Sequence, residues 1–410
     1  MSSDSNAKYL IIVPDGMADA FDQESEPTSL ESSKTPWMDK MASAGKIGIS
    51  NTIPKGLTPG SDVATLSLMG YSATDVYTGR APFEAASMGI DLKPLDLAFR
   101  LNLVTLDRNY TVMADHSSDH ISSPEARELI GALAVEIESL GFTVYPGVSY
   151  RNLLVWENGP DHLITYPPHD FPGQPIASCL PSGKGSDRLL RLIVNSWRIL
   201  DKHPVNQRRL KRGQGQANSV WPWGQGKPPQ IKTLHERFGF TGAVVAAVDL
   251  VRGIGRYAGL EMIDVEGATG YLDTNYEGKV HAAIEALTTK DFVFLHIEAP
   301  DEAGHSGQRD LKIKAIEDFD QRVVKPILEE LKKFNSWRVL LAPDHQTPVG
   351  LRVHTAGPIP FLFLDSESWN RFDETSQIKF SEKAAASSGV VEPEGMNLIE
   401  VLFGHRELKS

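Results

Sequence analysis

The sequence predicts an α/β protein: a parallel-rich sheet flanked by helices, with a smaller α/β domain inserted into it. Three observations carry this. GAVVAAVDL (242–250), DFVFLHIEAP (291–300), WRVLLAPDH (337–345) and IPFLFLD (359–365) are short and apolar through their length. Such strands are buried on both faces, as in a parallel sheet covered by helices. Helical patterning alternates with them, and LKIKAIEDFDQRVVKPILEELKKF (311–334) separates two. Residues 96–226 differ in texture, with longer loops and alternating strands, and are read as a second domain inserted between core segments 1–95 and 227–410.

The elements follow in order. Tyr9–Val13 is a strand, and Thr35–Ala44 a helix with Pro36 in its first turn. TIPKGLTPGSDVATLSLMGY (52–71) is a Pro/Gly loop giving way to a helix from Ser61 to near Gly70. Asp96–Leu106 alternates as a strand, and Ser123–Gly141 is a helix with a Ser-Pro-Glu start and a Gly stop. YRNLLVW (150–156) is a strand, 185–203 a helix, and ANSVWPWGQGKPPQ (217–230) a strand followed by a connector.

A chain of 410 residues is too long for one core. No apolar run is long enough to span a bilayer, and the opening MSSDSNAKYLIIVPDG does not read as a secretory signal. A single cysteine, Cys179, rules out an intramolecular disulfide and fits a reducing cytoplasm. A net charge of −12 weighs against nucleic-acid binding. The densest basic run, Lys202–Arg212, reads as a solvated helix end or loop.

The chemistry is concentrated where apolar runs end in Pro-Asp. YLIIVPDG ends on Asp15, HIEAPDEAGH holds Asp301 with His305 four residues on, and RVLLAPDH ends on Asp344 and His345. The proline suits a strand end because it cannot donate to the ladder. Ligands bind beyond the carboxyl ends of parallel strands. Acids converging there repel unless cations or protons compensate. With His305, His345 and His354 they form an oxygen and nitrogen set suited to Mn²⁺ or Zn²⁺, less ideally Mg²⁺. Two ions would share it, and two-metal sites specialise in phosphoryl transfer. Singly, each Asp reads as a turn former or N-cap, and His354 as a loop histidine. Ser61 in TPGSD is the candidate nucleophile, at a helix N-terminus where N–H groups stabilise an anion. The plainer reading makes it only an N-cap.

VPDGMAD, GLTPGSDVATLSLMGY, YTGRAPFEAASMGIDL, HPVNQRR, WPWGQGK, GYLDTNYEGK, EAPDEAGH, KAIEDFD and PDHQTP together resemble the cofactor-independent phosphoglycerate mutases, in the archaeal-type branch of the alkaline-phosphatase superfamily. The resemblance implies an alkaline-phosphatase-like core with two divalent ions, Mn²⁺ first, with Zn²⁺, Mg²⁺ or Co²⁺ as alternatives, and no 2,3-bisphosphoglycerate. One ion would take Asp301, His305 and His354, and the other Asp15, Ser61, Asp344 and His345. Ser61 would be transiently phosphorylated between 3-phosphoglycerate and 2-phosphoglycerate. The inserted domain would hold the glycerate and close over it, since an exposed phosphoserine is hydrolysed. Arg151, Arg208 and Arg209, with Arg256 from the core, are the expected phosphate or carboxylate clamps. His116 and His120 in ADHSSDH are both candidates for the general acid/base. PDHQTPVGLRVHTAGPIPF and EAASMGIDL also resemble a sister group proposed to be homoserine kinases. A homoserine phosphotransferase, a phosphatase on a small phosphorylated metabolite, and a metal-stabilised binding protein are therefore the alternatives.

Overall fold

The three Pro-Asp strands lie side by side in the computed structural model, which describes residues 7–20, 27–373 and 378–408. The first six residues, which open the N-terminal stretch read above, lie outside the described residues. Phe292–Ile297, Lys8–Pro14 and Trp337–Leu341 are neighbours and mutually parallel, with Tyr9 aligned to Phe292 on one side and Arg338 on the other. They belong to an eight-stranded sheet ordered Glu261–Ile263, Gly242–Val245, Phe292–Ile297, Lys8–Pro14, Trp337–Leu341, Ile359–Asp365, Lys46–Ser50, Val391–Glu392. The first five strands are parallel to one another.

Both faces of the sheet are covered, as the uninterrupted apolar runs require. Leu10, Ile12, Val293, Leu295, Val339 and Leu341 pack on Met38 and Met41 of the helix Pro36–Ala44, on Tyr276 and Val280 of Tyr276–Thr289, and on Ile316 and Phe319 of Arg309–Phe319. Across the sheet, Tyr9 and Phe292 meet the ring of Phe403 edge-on at 5.1 and 5.6 Å.

Two elements depart from the sequence reading. Ile359–Asp365 is antiparallel to both its neighbours. Parallel pairing needs a crossover, usually helical, and the connection 342–358 contains no helix, so the chain turns straight back. The long helix of 311–334 is interrupted: Arg309–Phe319 passes through a π-turn at Asp320–Val324 into Lys325–Leu331. The π-turn delivers the buried Asp320 carboxylate to the start of Pro36–Ala44, where it accepts from the N–H groups of Met38 at 2.8 Å and Trp37 at 3.1 Å. Those are donors a helix start leaves unsatisfied.

The chain divides into two compact units, residues 78–230 and the remainder. The smaller unit extends beyond the segment marked by texture because Ala81 and Ala85 of Ala81–Ser87 pack on Ala98, Leu153 and Val155. Its sheet is antiparallel: Leu97–Leu106 pairs with Arg151–Trp156, Ser219–Gly226 and Met113–Asp115, and Phe142–Tyr145 lies beside Arg151–Trp156. The helices Ser123–Ser139 and Ser186–Asp201 bury Leu129, Leu133, Leu189 and Leu192 with Phe99, Leu101 and Leu103 of that sheet. No helix among the described residues is long and apolar enough to cross a membrane.

Candidate active site

The parallel arrangement sends all three acids to one end of the sheet. Asp15 directly follows Lys8–Pro14, and Asp344 lies in the loop after Trp337–Leu341. Asp301 stands in the first turn of the helix Ala299–Ser306, with His305 one turn on, so both occupy one helix face. Only Pro14 closes a strand. Pro300 sits in the opening turn of this helix, where its missing N–H costs nothing, and Pro343 is in the loop. Gly16, at φ 58°, donates its N–H to Asp344 Oδ1 at 3.0 Å. A Cβ there would collide with the Asp301 side chain and the Thr347 hydroxyl, so the Gly of VPDG is a steric requirement.

All six predicted Asp and His residues converge. Asp301 Oδ2 is 3.1 Å from His305 Nε2, and its Oδ1 is 3.5 Å from His354 Nε2. The two imidazole nitrogens are 2.8 Å apart. His305 Nδ1 is 3.0 Å from the carbonyl oxygen of Arg352, which can only accept, so Nδ1 carries a hydrogen and Nε2 is the nitrogen turned toward Asp301 and His354. His345 Nε2 lies 3.4 Å from both Asp15 Oδ1 and Asp344 Oδ2, and 3.1 Å from Ser61 Oγ. Ser61 is the first residue of the helix Ser61–Leu68, with Gly60 at the cap position, so it is not the N-cap.

Thr347, which the sequence reading did not single out, fixes the tautomer of His345. Its hydroxyl donates to Asp301 Oδ1 and lies 3.2 Å from His345 Nδ1. A hydroxyl that gives its one proton to a carboxylate can only accept from the ring, so Nδ1 is protonated and the Nε2 lone pair faces Ser61. Lys312, fully buried, secures this turn by donating to Thr347 O at 2.9 Å and Asp19 Oδ1 at 2.7 Å. His296, next to last in the apolar strand Phe292–Ile297, was also missed. Its Nε2 is 3.1 Å from Asp15 Oδ2. The only signal for either was a polar residue inside or beside a motif otherwise explained.

Burial and crowding of like charges set the electrostatics of the cluster. Burial, then the neighbouring Asp344 and Asp301 charges, push Asp15 well above the usual carboxylate range. Burial also raises Asp301, but hydrogen bonds to His305 and His354 outweigh it and hold that carboxyl well below the range. The bond to Asp301 lifts His305 to about 9. Burial lowers His345 and takes His296 down to about 4. Burial, then Glu302 and Asp301, raises Glu298 to about 8.

Asp15 Oδ1, Asp344 Oδ2 and both ring nitrogens of His296 are buried with no hydrogen-bond partner, a costly condition that a cation relieves. Among the described residues, donor atoms lie within 4.8 Å of one another in Asp301–His305–His354, Asp15–Asp301–His345 and Asp15–His296–Asp344. The donor set and its unpaired atoms therefore fit divalent cations.

The predicted residues of the smaller unit are held differently. His116 and His120 flank Tyr150, with ring centroids 6.0 and 6.1 Å from it. Ser118, Asp119 and His120 itself all have φ near +50°, a left-handed turn of non-glycine residues braced by Asp115, which accepts from the N–H groups of Ser117 and Asp119. Arg151 is exposed, 5.5 Å from the Tyr150 ring. Arg208 is also exposed and pairs with Glu128 at 3.3 Å. Arg209 requires correction as a clamp. It is fully buried, donating to Glu125 Oε2 at 2.7 Å, Ser118 O at 2.6 Å and Gly215 O at 2.8 Å, so it ties the left-handed turn to two helices. Arg256 lies in the last turn of Asp249–Tyr257 in the larger unit, half-buried. Sequence reading missed Arg100, which stacks 4.2 Å from the Trp223 ring and pairs with Glu84 at 3.1 Å, and His169, edge-on to the same ring at 5.1 Å.

A parallel sheet whose strand ends present a carboxylate–imidazole cluster, with a serine hydroxyl at a helix N-terminus beside it, defines the class of metal-dependent phosphoryl-transfer enzymes. The family model for 2,3-bisphosphoglycerate-independent phosphoglycerate mutase matches residues 42–206. A probable enzyme of that name from Geobacter sulfurreducens is 50% identical over 399 residues, covering 97% of this chain and 99% of that one. The one from Methanosarcina barkeri is 48% identical over 94% and 98%. The solved structure of the PH0037 protein from Pyrococcus horikoshii superposes with a TM-score of 0.78 at 29% identity over 99% of both chains. The chain belongs to the 2,3-bisphosphoglycerate-independent phosphoglycerate mutase family.

Proposed function

We infer that this enzyme interconverts 3-phosphoglycerate and 2-phosphoglycerate without 2,3-bisphosphoglycerate, through a phosphoserine at Ser61. Near full-length identity to mutases at 50% supports the reaction. The observation that supports the route is Ser61 Oγ facing His345 Nε2 at 3.1 Å, beside the cluster.

The Ser61 hydroxyl ionises, releasing its proton to solvent, and Oγ attacks the phosphorus of 3-phosphoglycerate as the alkoxide, the form in which it also departs at the end. The Oγ–P bond forms, the bond from phosphorus to the C3 oxygen breaks, and that oxygen takes a proton from a general acid. The glycerate turns, and its C2 hydroxyl gives a proton to the same group acting as base. The C2 oxygen attacks the phosphoserine, and Oγ leaves. His116 or His120 is our candidate for that group, on a turn whose strained backbone suits a functional role. Arg151 and Arg256 remain proposed contacts for carboxylate or phosphate, and Arg208 would have to leave Glu128 to join them. The 78–230 unit is the proposed substrate-binding and transfer domain, where excluding water keeps the phosphoserine from hydrolysis.

Asp301, His305 and His354 would hold one divalent ion, and Asp15, Ser61, Asp344 and His345 the other; the mixed donors favour Mn²⁺. Such ions supply Lewis acidity and lower the pKa of a bound hydroxyl. A reducing cytoplasm is the compartment we propose, on the strength of the single cysteine.

The test is a coupled enolase assay on metal-free protein reconstituted with Mn²⁺, given 3-phosphoglycerate alone. Formation of 2-phosphoglycerate is expected. Release of inorganic phosphate as the sole product, or transfer to homoserine instead, defeats the reading.

A further inference from the structure

We propose that His296 is a direct ligand of the divalent cation held between Asp15 and Asp344, so that this ion takes imidazoles from two strands' ends, His296 and His345. The proposal rests on the reading that cations occupy this cluster.

His296 is fully buried in Phe292–Ile297, level with Val13 of the adjacent strand. A histidine inside an apolar strand normally spends at least one ring nitrogen on a hydrogen bond, because an unpaired buried polar atom keeps its full desolvation cost. Here neither nitrogen has a partner, and neither do Asp15 Oδ1 and Asp344 Oδ2. Those residues bring donor atoms within 4.8 Å of one another. The alternative is an N–H bond from His296 to Asp15. The 3.1 Å contact to Asp15 Oδ2 lacks hydrogen-bond alignment, and that bond would leave Asp344 Oδ2 unpaired. Carboxylates offer only lone pairs and a neutral imidazole offers one, so a single cation satisfies all three groups together.

The test uses full-length metal-free protein and Mn²⁺. Bound ions are counted by the electron paramagnetic resonance of unbound Mn²⁺, and coupled imidazole nitrogens by spin-echo modulation. His296→Phe is expected to weaken one of two ions by at least about tenfold and to remove one coupled nitrogen. Its metal-free melting temperature should rise, because a ring with no unpaired polar atoms replaces one with two. Unchanged affinity and nitrogen coupling overturn the proposal. Weaker binding with the nitrogen count intact also overturns it, since His296 then acts only on Asp15. Should His296→Phe fail to fold, wild-type protein decides. Four coupled imidazoles across the two ions uphold the assignment, and three reject it. No Mn²⁺ bound to wild type would instead defeat the underlying reading of the cluster.

Discussion

The strand-end cluster of the larger unit and the histidine–arginine region of the smaller one hold their charged groups in opposite ways. In the first, Asp15, Asp344 and His296 are buried with polar atoms unpaired, an arrangement that destabilises the fold unless something binds. In the second, the arginines Arg209 and Arg208 are matched within the chain, to Glu125 and Glu128. Unpaired buried groups mark where a ligand belongs. Paired ones first mark what holds the scaffold, and Arg151 differs from them in standing exposed at the surface.

The sharpest way to break this contrast is through neighbouring arginines. Arg209→Ala should cost about 3 kcal/mol of stability, because it strips a buried ion pair and two carbonyl bonds. Arg208→Ala, at an exposed pair, should cost under about 1 kcal/mol. Denaturant unfolding of both variants checks this, and equal losses would erase the distinction. Inside the cluster, Thr347→Val should lower kcat about 10- to 100-fold by releasing the His345 tautomer, while Thr347→Ser retains most activity. Equal activity in Val and Ser variants would remove Thr347 from the mechanism.

The smallest effect is one of pH. Burial raises Asp320 to about 7 despite the two N–H groups it accepts from. A carboxyl with a folded pKa above its unfolded value keeps a proton that the unfolded chain has released. Its contribution therefore falls as pH rises from about 4 through about 7. Asp320→Asn should flatten the decline in stability between about pH 5 and pH 8, read from urea midpoints of metal-free protein. An unchanged slope would show that Asp320 ionises as freely in the fold as outside it.

Much of the cluster was legible because strand-end acids have a positional grammar. An apolar run fixes the strand, parallel pairing fixes which end is which, and the acid after it must face the site. Asp301 with His305 could be read from spacing alone. Thr347 and His296 were not legible, since their roles come from contacts between strands far apart in sequence. Arg209 misled for the same reason: nothing in HPVNQRR tells which of two adjacent arginines turns inward. The antiparallel Ile359–Asp365 was equally hidden, because burial on both faces makes a strand apolar whichever way it runs.

The central claim is that phosphate passes through Ser61. Mn²⁺-loaded enzyme mixed with 3-phosphoglycerate, acid-quenched within a turnover and digested, should yield phosphate on the peptide carrying Ser61. Ser61→Ala should show neither that peptide nor 2-phosphoglycerate. Steady turnover by Ser61→Ala, or phosphate found on a different residue, would contradict the account.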